Sequence, residues 1–267
     1  MPEINSPVVT NSNTLSLLFK IDAIIALVAG VGIGLIALSG PVGVWLGLWN
    51  FSRGFDLLRI TNSYAGWIAG IAFLVGFIIF IVALIKPIKN SLQLTGMALI
   101  GCVCAALAFY VPESFRPPEG TPPIHDITTD TLNPPVYVAI APLRADASNS
   151  MEYGSGNNMT PERLADLQQS AYPDIIPQRF DTSLEQVFDR ALTAVAQLGW
   201  ELVDASFEER RIEATDTTFW FRFKDDIVIT ISREGNQTVL NARSLSRVGI
   251  GDVGKNAARL REFFTLL

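Results

Sequence analysis

The chain has 267 residues, 49% of them hydrophobic, with a mean hydropathy of +0.33 and a formal net charge of −6. Its length allows one or two domains, and its apolar weight is too high for a chain that is water-soluble throughout. Residues 1–114 hold five basic side chains (Lys20, Arg53, Arg59, Lys86, Lys89) and four acidic ones (Glu3, Asp22, Asp56, Glu113), leaving the remainder at −7. An acidic tail argues against nucleic acid as a partner, because neutralising phosphates needs a basic face.

Residues 1–14 are polar and rich in Asn, Ser and Thr, and are expected to be disordered. They lack the basic start and small-residue cleavage site of a removable signal, so the first apolar stretch is expected to stay. That stretch, 17–38, is the first predicted span, ended by Ser39-Gly40-Pro41. In 42–60, Trp45, Leu48, Trp49, Phe55 and Leu58 fall at helical spacing while Arg53, Asp56 and Arg59 face elsewhere. Tryptophan beside arginine suits the headgroup zone and predicts a short helix lying on the bilayer. The uncharged run 64–85 matches a hydrocarbon layer ~30 Å thick at ~1.5 Å per residue. A third span is predicted at 92–111, which makes 15–111 a membrane domain.

Three spans put the amino terminus and the 86–90 turn on one side, and 42–60 and the tail on the other. Lys20, Lys86 and Lys89 mark the first side as cytoplasmic. The expectation is a multi-pass protein of the bacterial inner (plasma) membrane with an extracytoplasmic, in diderm bacteria periplasmic, carboxy-terminal domain. Ala26-Gly30-Gly34, Gly66-Gly70 and Gly101-Ala105-Ala108 allow close backbone approach. They serve either to pack this chain's own helices or to receive another membrane protein or a second copy. Cys102 and Cys104, one residue apart on a helix, point in different directions and make no metal pair.

From 112 to 180, Pro pairs at 117–118, 122–123 and 134–135 predict an extended segment that wraps over the folded tail, with a short helix started by Thr160-Pro161-Glu162. Residues 181–267 read as an α+β domain. Thr182 and Glu185 suggest a capping box, and Leu184, Val187, Phe188, Ala191, Val195 and Leu198 form a helical stripe ended by Gly199. Strands are predicted at 200–207, 210–215, 218–223, 226–233 and 238–245, with turns at Lys224-Asp225-Asp226 and Glu234-Gly235-Asn236 and a bulge near Asp216. Asp252 caps a last helix bearing Val253, Ala257, Leu260, Phe264 and Leu267. The predicted fold is a three-span helical anchor plus an antiparallel sheet with two helices on one face.

PPIHDITTD (122–130), NPP (133–135), YPDIIP (172–177), FRFKDDIVITI (221–231) and RSLSRVGIGDVGKNAARLREF (243–263) together resemble the family catalogued as domain of unknown function 1499. The resemblance covers roughly 115–267. The membrane portion, with GLWNFSRGF, resembles the amino-terminal part of bacterial members. It implies a membrane-associated protein of bacteria and plastids with no established activity. The order helix, strands, helix is also similar to helix-grip domains of envelope lipoproteins, which is fold-level analogy.

His125 is the only histidine, and Asp126 and Asp130 lie near it. Such a trio suits a metal ion or a general base, but zinc wants more nitrogen or sulfur ligands, and the competing reading is an extended clip bonded to loop backbone. Arg243, Ser244, Ser246 and Arg247 lead into Gly249, Gly251, Asp252, Gly254 and Asn256 at a helix start, a composition suited to an anion. Against that, the arginines can pair with Asp216, Asp225 or Asp226 while Asp252 caps the helix. Asp225 and Asp226, adjacent in a turn, suit a catalytic carboxylate pair, but neighbouring residues on a strand point to opposite faces, which spoils cooperation on one substrate. No cofactor is indicated, and GVGIG (30–34) lies inside a span and is rejected as a nucleotide loop. The leading expectation is a non-catalytic module for an envelope protein or anionic lipid. The alternative is a membrane-anchored hydrolase or metal-dependent enzyme using His125, Asp126 and Asp130. A transporter is disfavoured, because the spans lack charges near mid-membrane.

Overall fold

The computed structural model describes residues 8–156 and 159–267, with side chains from residue 14 onward. The chain divides into two compact units, 1–116 and 117–267.

The first unit is three helices, α1 (Val8–Trp45), α2 (Phe51–Ile85) and α3 (Ser91–Glu113), each long and apolar enough to cross a membrane. Helix α1 begins at Val8, inside the stretch expected to be disordered, and residues 1–7 lie outside the described ones. Ser39-Gly40-Pro41 does not end it. No separate interfacial helix forms over 42–60; the segment is shared between the end of α1, a turn at 46–50 and the start of α2. Glycine notches explain the difference. Gly40 leaves room for the Gly54 carbonyl, Gly43 seats the Trp49 ring, and Trp49 Nε1 donates to Gly40 O at 3.0 Å. The two helices therefore pack together up to the turn instead of one lying flat.

Small residues bring the helices together. A Cβ on Gly30 would run into the Gly101 carbonyl, and one on Gly101 into that of Ala26. Ala23, Ala65, Ala98 and Ala105 are fully buried, while Leu92, Trp67 and Ile85 are among the most exposed side chains. Asn62 Nδ2 donates to Phe109 O at 3.0 Å, a polar tie between α2 and α3.

The second unit is built on an antiparallel sheet of order β1-β6-β5-β4-β3: β1 (Asp126–Thr128), β3 (Glu201–Ser206), β4 (Arg211–Thr217), β5 (Lys224–Glu234) and β6 (Gln237–Ser246). Strand β2 (Gln178–Phe180) pairs with β6 beyond β1 on the same edge. Helices α5 (Leu184–Gln197) and α6 (Lys255–Phe264) cover one face, where Val187, Ala191, Ile212, Ile227, Ile229, Leu240, Leu260 and Phe263 form the core. A segment from about 131 to 155, the strap, covers the other: Tyr137 and Ile140 pack on Val228 and Leu245. Helix α4 (Pro161–Ala171), capped by Thr160, carries fully buried Gln168. Its amide donates to Thr128 O at 2.6 Å and accepts from Thr128 N at 2.9 Å, closing the open edge of β1.

Several local expectations are corrected. Residues 218–223 form a turn, not a strand: Arg222 takes φ 56°, and the Thr218 hydroxyl accepts from Phe223 N. Lys224, Asp225 and Asp226 are therefore the start of β5, not a turn. The register shift lies between Leu202 and Asp204 rather than near Asp216. The capping box of α5 is Ser183 with Gln186, because the Thr182 hydroxyl accepts from Arg190 and its carbonyl from Thr238. In α6 the buried phenylalanine is Phe263, and Val253, outside the helix, is exposed.

Candidate functional site

Alternation along β5 and β6 splits the polar residues of 225–247 between the two faces of the sheet. On the strap face, Asp226, with no exposed side-chain surface, accepts from Arg247 Nε and Nη2, each at 2.9 Å, from Arg144 Nη1, and from the Thr215 hydroxyl at 2.7 Å. Two guanidiniums thus share one carboxylate. Arg144 Nη2 also donates to Asn149 O, and Arg247 Nη1 to Leu143 O, so the strap is tied to the sheet through charge.

Beside them, Arg243 donates two parallel hydrogen bonds to Asp126, Nε at 2.9 Å and Nη2 at 2.7 Å, and donates to Pro135 O and Met151 O. Its guanidinium sits over the rings of Tyr137 and Tyr153. Burial pulls the Arg243 pKa down, but the hydrogen bond and charge of Asp126 outweigh it and hold it above its usual value. Burial pushes both tyrosine hydroxyls up. These groups floor a cavity of about 400 Å³ between Pro134, Val136 and Met151. Glu213, fully buried, accepts from the backbone N–H groups of Val138, Ala139 and Ile140 at 2.8 to 3.0 Å. Arg211 Nε lies 2.8 Å from it as an ion pair that makes no hydrogen bond.

On the helix face, Arg259 of α6 reaches Asp225 at 2.5 Å and Asp216 at 2.8 Å. Asn256 accepts from the Ser244 hydroxyl and donates to Ser246 Oγ and His125 O. Asp252 accepts from Gly254 N and Asn256 N, each at 2.8 Å, and fixes the start of α6. Burial raises its pKa, against those hydrogen bonds.

The residues singled out from sequence are therefore distributed, not convergent. Arg243 and Arg247 lie on the strap face, Ser244, Ser246 and Asn256 on the helix face. Asp126 pairs with Arg243, whereas Asp130 accepts from Leu132 N and Asn133 N as a turn cap. His125 Nδ1 donates to Ile250 O at 3.0 Å. Among the described residues, no three His, Cys, Asp or Glu side chains gather as a metal set. Arg144, Glu213, Tyr137, Tyr153 and Arg259 were missed. Alternation could have assigned Glu213 to the strap face, but nothing local marks its partners 73 to 75 residues away.

The loop 247–254 is fastened by its backbone. Ile250 O receives His125, Asp252 N donates to Ile124 O at 3.0 Å, and Asn149 Nδ2 donates to Gly249 O at 2.9 Å. Gly251 leaves no spare room beside Pro123. This pinned loop turns Ile250 outward at 83% exposure and Val253 at 54%, the latter at φ 53°, a left-handed conformation that a β-branched residue rarely adopts.

Compared with known proteins, the chain matches the family described as Protein of unknown function (DUF1499) over residues 126–267. No curated protein matches it.

Proposed function

From the premise that the chain belongs to the DUF1499 family, we propose that it is an inner-membrane protein whose carboxy-terminal α+β domain serves outside the cytoplasm as a binding or assembly-accessory module. Its partner is an envelope protein or anionic lipid. Three helices able to cross a membrane support the anchor, and Lys20, Lys86 and Lys89 support the sidedness.

One observation favours binding over the alternative hydrolase or metal-dependent enzyme. That alternative needs His125, Asp126 and Asp130 to face one substrate, yet each is bonded elsewhere: to Ile250 O, to Arg243 and to the 132–133 backbone. A general base must reach the proton it takes, and each of these three is held by a different partner.

Two measurements test the reading. A cysteine at exposed Asn236 should react with an impermeant thiol reagent in intact spheroplasts; reaction only after lysis reverses the sidedness. Crosslinking in intact cells, gentle extraction and mass spectrometry should recover a reproducible envelope protein or anionic lipid. Recovery of the chain alone under several detergents removes the binding role.

A further inference from the structure

The exposed apolar residues of the domain include a group at one end of the sheet, and the register places them. Thr217 pairs with Lys224, Asp225 with Ser246, and Leu245 with Asp126, so the 218–223 turn, the 247–254 loop and the entry to β1 emerge together. Ile250 and Val253 point outward there from a loop whose backbone is tied down, and Phe219, in the turn at the same end, is 63% exposed. Within 218–224 and 247–255 the exposed charged residues are Arg222, Lys224 and Lys255, while Asp252 is buried. These two loops are cationic and apolar on a chain of net charge −6, with exposed Glu201 at the start of β3 standing at the same end of the sheet.

Resting on the reading that the domain is a binding module, we propose that this end is a docking tip for the surface of an anionic lipid bilayer. Ile250 and Val253 enter the headgroup–acyl boundary, and Arg222, Lys224 and Lys255 meet the lipid phosphates. Aromatic side chains such as Phe219 and Trp220 suit that same zone. Fixing the loop beforehand lowers the ordering cost of insertion, which gives Val253 a reason to hold a disfavoured backbone conformation.

The test uses the full chain with Cys102→Ala and Cys104→Ala, an environment-sensitive fluorophore on Ile250→Cys, and reconstitution into vesicles. With phosphatidylglycerol present, emission should shift to the blue and be quenched by lipid spin-labelled near the headgroup. The same label on Asn236→Cys, at the opposite end of β5 and β6, should show neither effect. Arg222→Gln, Lys224→Gln and Lys255→Gln together should abolish the preference for phosphatidylglycerol over pure phosphatidylcholine. Water-like, unquenched emission in anionic vesicles overturns the proposal. So does a blue shift that grows with protein-to-lipid ratio without spin-label quenching, which would mark a second copy on the tip. Either result alongside retained envelope-protein crosslinks would remove the tip and leave the module's binding role standing.

Discussion

Asp225 and Asp226 are consecutive in β5 yet hold arginines on opposite faces of the sheet: Arg259 under α6 for the first, Arg144 and Arg247 under the strap for the second. The ladder forces this, since neighbouring side chains of a strand point apart. One dipeptide thereby fastens both coverings of the sheet.

Removing the Asp226 charge leaves two guanidiniums facing each other, Arg144 buried and Arg247 nearly so. Asp226→Asn should destabilise the domain by ~3–5 kcal/mol, the usual result of orphaning a buried charge. Limited proteolysis of the detergent-solubilised chain should then cut near Arg144 well before any site in β4 or β5. Cutting at the wild-type rate would mean that the carboxylate does not hold the strap.

Asp126 and Arg243 form a pair that can be removed as a unit. Arg243→Met alone should cost ~3–5 kcal/mol, whereas Asp126→Leu with Arg243→Met should cost clearly less, because no unpaired charge stays buried. Thermal unfolding of the two variants and Asp126→Leu completes the cycle. Additive losses would show that the residues act independently.

How much of this was legible is seen in β6. Period-two alternation in 238–245 carries the information on which residues share a face, yet the composition there groups Arg243, Ser244, Ser246 and Arg247 as one anion site, and it is the ladder that separates Arg243 from Ser244. The opposite orientation of Asp225 and Asp226 followed from the same rule. What alternation could not tell is where a strand stops. Phe219, Phe221 and Phe223 mimic a strand, but positive φ at Arg222 turns the chain there, and acids that looked like a turn are buried partners of distant arginines. The cap of α5 slipped by one residue because both overlapping frames satisfy the pattern and only Arg190 and Thr238, far along the chain, occupy Thr182. Small-residue spacing in the spans was visible, while which glycines touch was not: Gly30 abuts Gly101, whereas Gly70 abuts nothing.

An acid-range dependence follows from Asp174, whose two oxygens accept from Arg261 at 2.6 and 2.7 Å. The Arg261 hydrogen bonds lower its folded pKa, so the pair's contribution is full above the unfolded carboxyl value, ~3.9, and is lost as pH falls through the lower folded value. Both side chains are about half exposed, so Asp174→Asn should cost no more than ~1 kcal/mol at neutral pH. Its stability difference from wild type should vanish on acidification, as followed by urea unfolding. A difference that persisted in acid would point to packing instead.

In the membrane unit, Gly101→Leu has no room between α3 and α1 and should cost ~1–3 kcal/mol or more by overpacking, while Gly70→Leu should be near neutral. Thermal denaturation in detergent distinguishes them. Equal effects would mean that α1 and α3 do not meet at Gly30.

Val253→Gly should stabilise the domain by ~1 kcal/mol, the relief of the left-handed backbone partly offset by greater freedom when unfolded. The same change should weaken attachment to phosphatidylglycerol vesicles, since it deletes an outward apolar side chain. Stability and lipid attachment moving in opposite directions is the outcome to look for.

Glu213 holding three successive amides of the strap sets a lower limit on what can be cut away from this protein. A fragment starting at residue 181 keeps every long strand and both covering helices. It would nonetheless bare a floor of carboxylates and guanidiniums shaped for a covering no longer attached. Residues 131 to 155 are the missing half of that floor's chemistry, so anyone trimming the gene for expression should retain them.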